Sequence, residues 1–232
     1  MNRNKIIIIC ESPIFNHSSV KAFPELNIEY SVYLNSLLLS NWVELLADKI
    51  AEYEIYVLLS REDEEFLTGN LIPKNFHVIF HDGLKSLSAQ ELLQKETSNN
   101  SSKILLVFFN SIGLRDNDIQ RTFNLVNQDE VSIVVAKSTD SKLIFNCCLM
   151  TENYIIDSFM NANRDFNKFF NSISKRDVFI HMKDRILSID DFEDIKKLYI
   201  ELSKKDSLAY CSKTMHESFN DLFIEYKDLL NV

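Results

Sequence analysis

Six apolar runs recur along the chain, with polar or amphipathic stretches between them. Lys5–Cys10 (KIIIIC), Glu54–Ser60 (EIYVLLS) and Ile104–Phe109 (ILLVFF) are nearly unbroken and rich in branched or aromatic side chains, as expected of strands covered on both faces. Phe76–Phe80, Val131–Ala136 and Leu143–Met150 complete the set, and Val178–Met182 offers a later strand. From Glu29 to Ile50 the spacing turns helical, with Tyr30, Tyr33, Leu37, Val43 and Leu46 along one stripe. Shorter helices are predicted over Arg61–Leu67, Ser88–Lys95, Phe192–Leu202 and Asp116–Gln128, the last with Asp116 as N-cap. Strands alternating with helices imply a mostly parallel central sheet flanked on both faces, a three-layer α/β/α sandwich.

The tail differs in character. Leu208, Cys211, Met215, Phe219, Leu222, Tyr226 and Leu229 recur at steps of three and four residues, one apolar face on a terminal helix. This divides the chain into an α/β domain over residues 1–205 and an amphipathic C-terminal helix over 206–232, which either packs on the body or forms a homodimer interface.

Composition narrows the classes. With 46% hydrophobic residues in 232, the chain can bury a sizeable core and needs neither disulfide nor metal to fold. A net charge of -9 argues against a general nucleic-acid or anionic-membrane surface. No run approaches the roughly 18 apolar residues of a membrane helix, and Ile6–Cys10 is too short for the core of a signal peptide. Cys10, Cys147, Cys148 and Cys211 lack metal-ligand spacing; buried, reduced thiols and a cytoplasmic address are the expectation. The three glycines, Gly69, Gly83 and Gly113, stand singly, so neither the P-loop nor the dinucleotide fingerprint is present.

In open α/β sheets ligands lie outside the carboxyl ends of the strands. The first such loop offers Glu11, His17, Ser18, Ser19 and Lys21, the next Asn110 and Ser111, and a third Lys137, Asp140 and Lys142. Lysine charge beside Ser and Asn groups suits a phosphate, although polar residues also cap strand ends in any α/β protein. The acidic run Asp190, Asp191, Glu193 and Asp194 opens the helix predicted from Phe192, where carboxylates favour the macrodipole and cap free N–H groups without any metal. His77 and His81 share a strand face but lack a third ligand.

These pieces, in this order, resemble the bacterial nucleotide-diphospho-sugar transferases of the GT-A fold, in particular the branch related to molybdenum-cofactor guanylyltransferases. That family's first loop reads K-x-P-x-x-G-x-x-K-T-R-L. Here Pro13 and Lys21 match, with an apparent two-residue insertion between them, and Glu11, Asn16, Ala22 and Phe23 stand in place of Lys, Gly, Thr and Arg. The family's G-x-D-x-P-x-L, whose Asp binds the metal–nucleotide, corresponds to Phe108-Phe-Asn110-Ser-Ile112-Gly-Leu114. Its D-G-G corresponds to Asp140-Ser-Lys142, and its D-x-D-T-P-E-D-L to Ser188-Ile-Asp190-Asp-Phe-Glu193-Asp194-Ile195.

The resemblance spans residues 5 to about 200. It implies glycosyl or nucleotidyl transfer from a nucleotide or nucleotide-sugar donor, with Mg²⁺ or Mn²⁺ as cofactor. It assigns Lys21, Asn110 and Ser111 to the nucleotide and its phosphates, Asp140 to catalysis, and Asp140 with Asn110 to the metal. The departures have consequences: Asn110 brings a cation no negative charge, the lost glycines bar close backbone approach, and Phe23 removes a cationic fork. Three readings follow. The first is a metal-dependent transferase. The second is a metal-independent transferase in which Lys137 or Lys142 replaces the cation, and the third a GT-A-fold binding or interaction module with a degenerate active site.

Overall fold

The computed structural model describes residues 3–67, 71–86, 102–126, 130–183 and 186–230; the helix expected over Ser88–Lys95 lies outside them. Nine strands are described: β1 (Asn4–Ile9), β2 (Tyr53–Ser60), β3 (His77–His81), β4 (Lys103–Phe108), β5 (Ser111–Ile112), β6 (Ser132–Lys137), β7 (Leu143–Leu149), β8 (Phe179–Lys183) and β9 (Leu187–Ser188). Seven form one sheet in the order β3-β2-β1-β4-β7-β6-β8, and β5 pairs with β9 in a small second sheet. Only β7 runs against its neighbours in the large sheet, so that sheet is mostly parallel, as the alternating pattern predicts.

Seven α-helices are described among these residues: α1 (Ile28–Leu46), α2 (Asp116–Leu125), α3 (Asn153–Asn161), α4 (Phe166–Ile173), α5 (Phe192–Leu202), α6 (Lys213–Glu225) and the short α7 (Lys227–Leu230). Successive strand residues point to opposite faces. Ile6, Ile8, Val57, Leu105 and Val107 therefore meet Trp42 of α1, Ile119 of α2, Leu198 of α5 and Phe219 of α6 in one core. Ile7, Ile9, Leu58, Ile104 and Leu106 meet Ile155 and Phe159 of α3 and Phe169 and Ile173 of α4 in the other. Adjacent Cys147 and Cys148 are split between these cores, both fully buried. This is the α/β/α sandwich.

The structure corrects several local expectations. Arg115, not Asp116, occupies the N-cap of α2 and makes no side-chain capping bond. The short helix expected over Arg61–Leu67 is a 3-10 helix that ends at Phe66. Tyr33 lies at the exposed margin of α1, whose buried face runs instead through Leu34, Leu38 and Trp42. Helices α3 and α4 were not expected: each is only two to three turns long, and the Ala162–Asp165 link interrupts their apolar period.

The C-terminal stripe packs on the chain itself. Cys211, Met215, Phe219 and Leu222 lie in the core that holds Trp42, while Leu208 and Leu229 stay exposed. Among the described residues no helix is long and apolar enough to cross a membrane. Phe219 is fully buried, so Phe219→Ala should destabilise the protein by about 3–5 kcal/mol in denaturant unfolding. A loss below about 1 kcal/mol, the ordinary effect of a surface substitution, would show that α6 is not part of this core.

Candidate functional site

Because β1, β4 and β6 are parallel and β7 starts where β6 ends, their loops gather on one edge of the sheet. Glu11 follows β1, Asn110 follows β4, and Asp140 and Lys142 sit in the turn joining β6 to β7. The link between α3 and α4 is fastened to that turn: Leu143 N donates to Arg164 O at 2.6 Å and Phe166 N donates to Ser141 O at 3.1 Å. Ser141, Asn163 and Arg164 all take positive φ, 60°, 54° and 59°. Such backbone costs about 1–3 kcal/mol per residue and persists only where surrounding contacts enforce it.

What these loops enclose is Asp190, whose side chain is 7% exposed. Its Oδ1 accepts from Arg164 Nη1 at 2.5 Å and Asn110 Nδ2 at 3.1 Å. Its Oδ2 accepts from the Ser188 hydroxyl at 2.6 Å and Arg164 Nη2 at 3.3 Å, and lies 3.1 Å from Lys142 Nζ. Lys21 Nζ reaches the backbone oxygen of Asp190 at 3.3 Å. The guanidinium lies over the Phe108 ring, 4.9 Å from its centre. Burial alone would push the Asp190 carboxyl up, but Arg164, the Ser188 hydroxyl and Lys142 hold it below the usual carboxylate range.

Glu11 is the counterpart. Its Oε2 is 3.8 Å from Arg164 Nε, a buried nitrogen with no hydrogen-bond acceptor. Burial pushes its carboxyl up, with Asp190 adding to the rise, and Arg164, Lys21 and Lys142 only partly offset this. Among the cavities that flank the network, two share a wall. One, of about 730 Å³, lies between the β6–β7 turn, the β5–β9 pair and α5, with Arg115, Lys197, Glu201 and Tyr210 in its wall. The other, of about 430 Å³, is lined by Glu11, Lys21, Asn163 and Arg164. Asp140, Lys142 and Asp190 line both.

The structure thus brings Lys21, Lys142 and Asn110 to Asp190, with Asp140 exposed on the shared wall. It does not bring Ser111 into the site. That residue is 1% exposed, its hydroxyl donates to Phe108 O at 2.6 Å, and its own carbonyl accepts from the Trp42 indole. Lys137 lies instead over the Phe166 ring.

The expected metal pair of Asn110 and Asp140 is also not formed. Asn110 turns its amide NH₂ inward to Ile189 O and Asp190, and it lines a small cleft that excludes Asp140. Asp190 has every acceptor position engaged by the chain's own donors, and no group of three metal-ligating side chains occurs among the described residues. The donors present do not fit a divalent cation.

Arg164 carried no motif in the sequence; its role comes from a backbone turn that only the structure reveals. Asp190 was visible but read as a helix cap. The cap of α5 is Asp191, which accepts from Asp194 N at 3.0 Å, and Asp194 in turn accepts from Asp190 N at 3.1 Å, which frees the Asp190 side chain for the site.

No protein-family model matches the sequence, nor does any curated protein. Solved structures do match. A candidate nucleotide-diphospho-sugar transferase from Desulfovibrio desulfuricans superposes with a TM-score of 0.69 at 13% identity, over 99% of this chain and 97% of that one. The chain has the nucleotide-diphospho-sugar transferase fold. The 4-diphosphocytidyl-2C-methyl-D-erythritol synthase of Anaerococcus prevotii matches with a TM-score of 0.53 at 12% identity, over 87% and 97% of the two chains. A Mycobacterium tuberculosis protein crystallised as a manganese complex matches with a TM-score of 0.50 at 8% identity, over 85% and 98%.

The two carboxylates should titrate with opposite signs. The stability that Asp190 contributes is present above the ordinary carboxylate pKa and is lost as pH falls through its lowered value. For Glu11 the contribution is complete below the ordinary value and is lost as pH rises through the raised one. Asp190→Asn, which removes the nearer of the two carboxylates facing Arg164, should lower stability by about 3–5 kcal/mol at neutral pH, less in acid. Glu11→Gln should raise the melting temperature at neutral pH, with the gain vanishing in acid. Melting curves of both variants across pH test this, and a Glu11→Gln protein less stable than the parent at neutral pH would contradict it.

Proposed function

We propose that the chain is a nucleotide-diphospho-sugar transferase-like protein that binds a nucleotide-activated donor at the carboxyl edge of the sheet and meets its phosphates with its own cations. The observation that carries this reading is the convergence of Lys21 and Lys142 on Asp190, 3.3 and 3.1 Å from its oxygens, beside two cavities with a common wall. Each ammonium has three donors, and neither uses all of them on Asp190. Arg164 is committed to Asp190 and Ser188, so its task is to hold the wall rather than to grip a ligand.

In this reading the donor's diphosphate occupies the 430 Å³ cavity beside Lys21 and Lys142, and the acceptor occupies the 730 Å³ cavity. The acceptor hydroxyl attacks the anomeric carbon or the α-phosphorus, and the bond to the leaving phosphate breaks. Asp140, on the common wall, takes the proton, and the lysines meet the charge that develops on the leaving group. No step passes through a metal. Four free, buried cysteines favour a reducing, cytoplasmic setting.

A second reading keeps the ligand and drops the reaction: a GT-A-fold binding module. The saturated hydrogen bonding of Asp190 favours it in one respect: that carboxylate is committed to structure, which leaves exposed Asp140 as the base on the common wall. Calorimetric titration with nucleotides, nucleotide sugars and inorganic pyrophosphate, followed by product analysis, separates the two. Binding should occur, and Lys21→Ala and Lys142→Ala should each weaken it roughly tenfold or more. Binding with turnover supports transfer; binding without turnover supports the module. No binding by any of them, or binding unaffected by both substitutions, would overturn the site assignment.

A further inference from the structure

Asp63 is fully buried, yet among the described residues it has no cationic partner. Its carboxylate is held instead by three consecutive backbone N–H groups of the loop that follows β1. Ile14 N donates to Oδ2 at 2.9 Å and to Oδ1 at 3.1 Å, Phe15 N to Oδ1 at 2.8 Å, and Asn16 N to Oδ1 at 3.0 Å. Successive N–H groups turned to one point form an anion-binding concavity. The two segments are fastened a second time where Asn16 Nδ2 donates to Glu62 O at 3.4 Å. Beyond the concavity the chain turns tightly, Ser19 N and Val20 N both donating to Asn16 O, and the next residue is Lys21.

We propose that residues 14–16 are an oxyanion cradle whose occupant is built into the chain, and that Asp63 thereby acts as the positioning residue for Lys21. The cradle would accept a small carboxylate or similar oxyanion if Asp63 were removed. With its amides engaged, the loop grips a ligand's phosphates through the Lys21 side chain and not through its backbone. The positioning role rests on the ligand site proposed above; the cradle does not.

Removal and chemical replacement test both parts. Asp63→Ala leaves three backbone donors unpaired, two of them buried, and should lower the melting temperature by roughly 10 °C. Sodium formate, small enough for the vacated space, should restore much of that loss where an equal concentration of sodium chloride does not. The parent protein should show no difference between the two salts. Asp63→Asn fills the space with an amide that cannot accept all the bonds; it should be destabilised too and gain nothing from formate. A formate effect no larger than that of chloride, an Asp63→Ala protein that folds in neither salt, or an Asp63→Asn protein as stable as the parent would each overturn the cradle.

Pyrophosphate titration of the same proteins reads the positioning role. Affinity should fall at least fivefold in Asp63→Ala and recover with formate. If formate restores stability but not an affinity the parent possesses, Asp63 holds the fold and not the ligand loop. If the parent itself binds no pyrophosphate while formate still restores the variant's stability, the ligand site fails, the positioning role falls with it, and the cradle stands.

Discussion

A carboxylate taken out of water must be met by charge or by a full set of hydrogen bonds, and Asp190 is met by both. Five side-chain donors from four separate segments close on its two oxygens: Asn110 after β4, Lys142 from the β6–β7 turn, both terminal nitrogens of Arg164 from the α3–α4 link, and Ser188 of β9. Removing that one group would leave the guanidinium with only Ser188 and the more distant Glu11, and the Asn110 amide with only Ile189 O. The edge of the sheet is built around this requirement. It accounts for the clip between the turn at Ser141 and the link at Asn163–Arg164, where three residues other than glycine hold left-handed backbone.

The same requirement makes sense of a residue that looks like a loss. An aspartate at position 110 would set a second carboxylate against Asp190, a like-charge contact relieved only by protonating one of them or adding a cation. Asparagine turns the contact into a hydrogen bond, with its amide donating at 3.1 Å. Lys142 and Arg164 complete the neutralisation from within the chain. In the reading proposed above, Lys21 and Lys142, not a metal, are what a phosphorylated ligand would meet.

Much of the fold was legible in the sequence, because Ile6–Ile9, Ile104–Phe108 and Ile133–Ala136 are apolar on both faces and a two-sided sheet is the only common place for such runs. The start and end of α5 followed from its acidic opening and apolar period. The site was legible only in part. Lys21, Asn110, Asp140 and Lys142 could be singled out because they lie in loops after strand ends at motif positions, and the structure gathers them on one edge of the sheet. Arg164 was hidden, since it owes its place to a tertiary clip that leaves no local pattern. Ser111 was misplaced because a strand-end serine can bond the backbone as readily as a ligand, and here its hydroxyl serves Phe108. Asp190 shows how two adjacent aspartates diverge: Asp191 caps the helix, and the residue before it turns inward.

The fold is held in common with nucleotide-diphospho-sugar transferases, and in this chain Asp190 is neutralised from within. The most direct measurement is the affinity of the tightest-binding nucleotide or nucleotide sugar, taken once in excess chelator and once in excess Mg²⁺ or Mn²⁺. If Lys21 and Lys142 do the work of the cation, the two affinities should agree within about threefold, well under 1 kcal/mol. Binding that appears only with the metal, or strengthens by a hundredfold on its addition, would contradict the account.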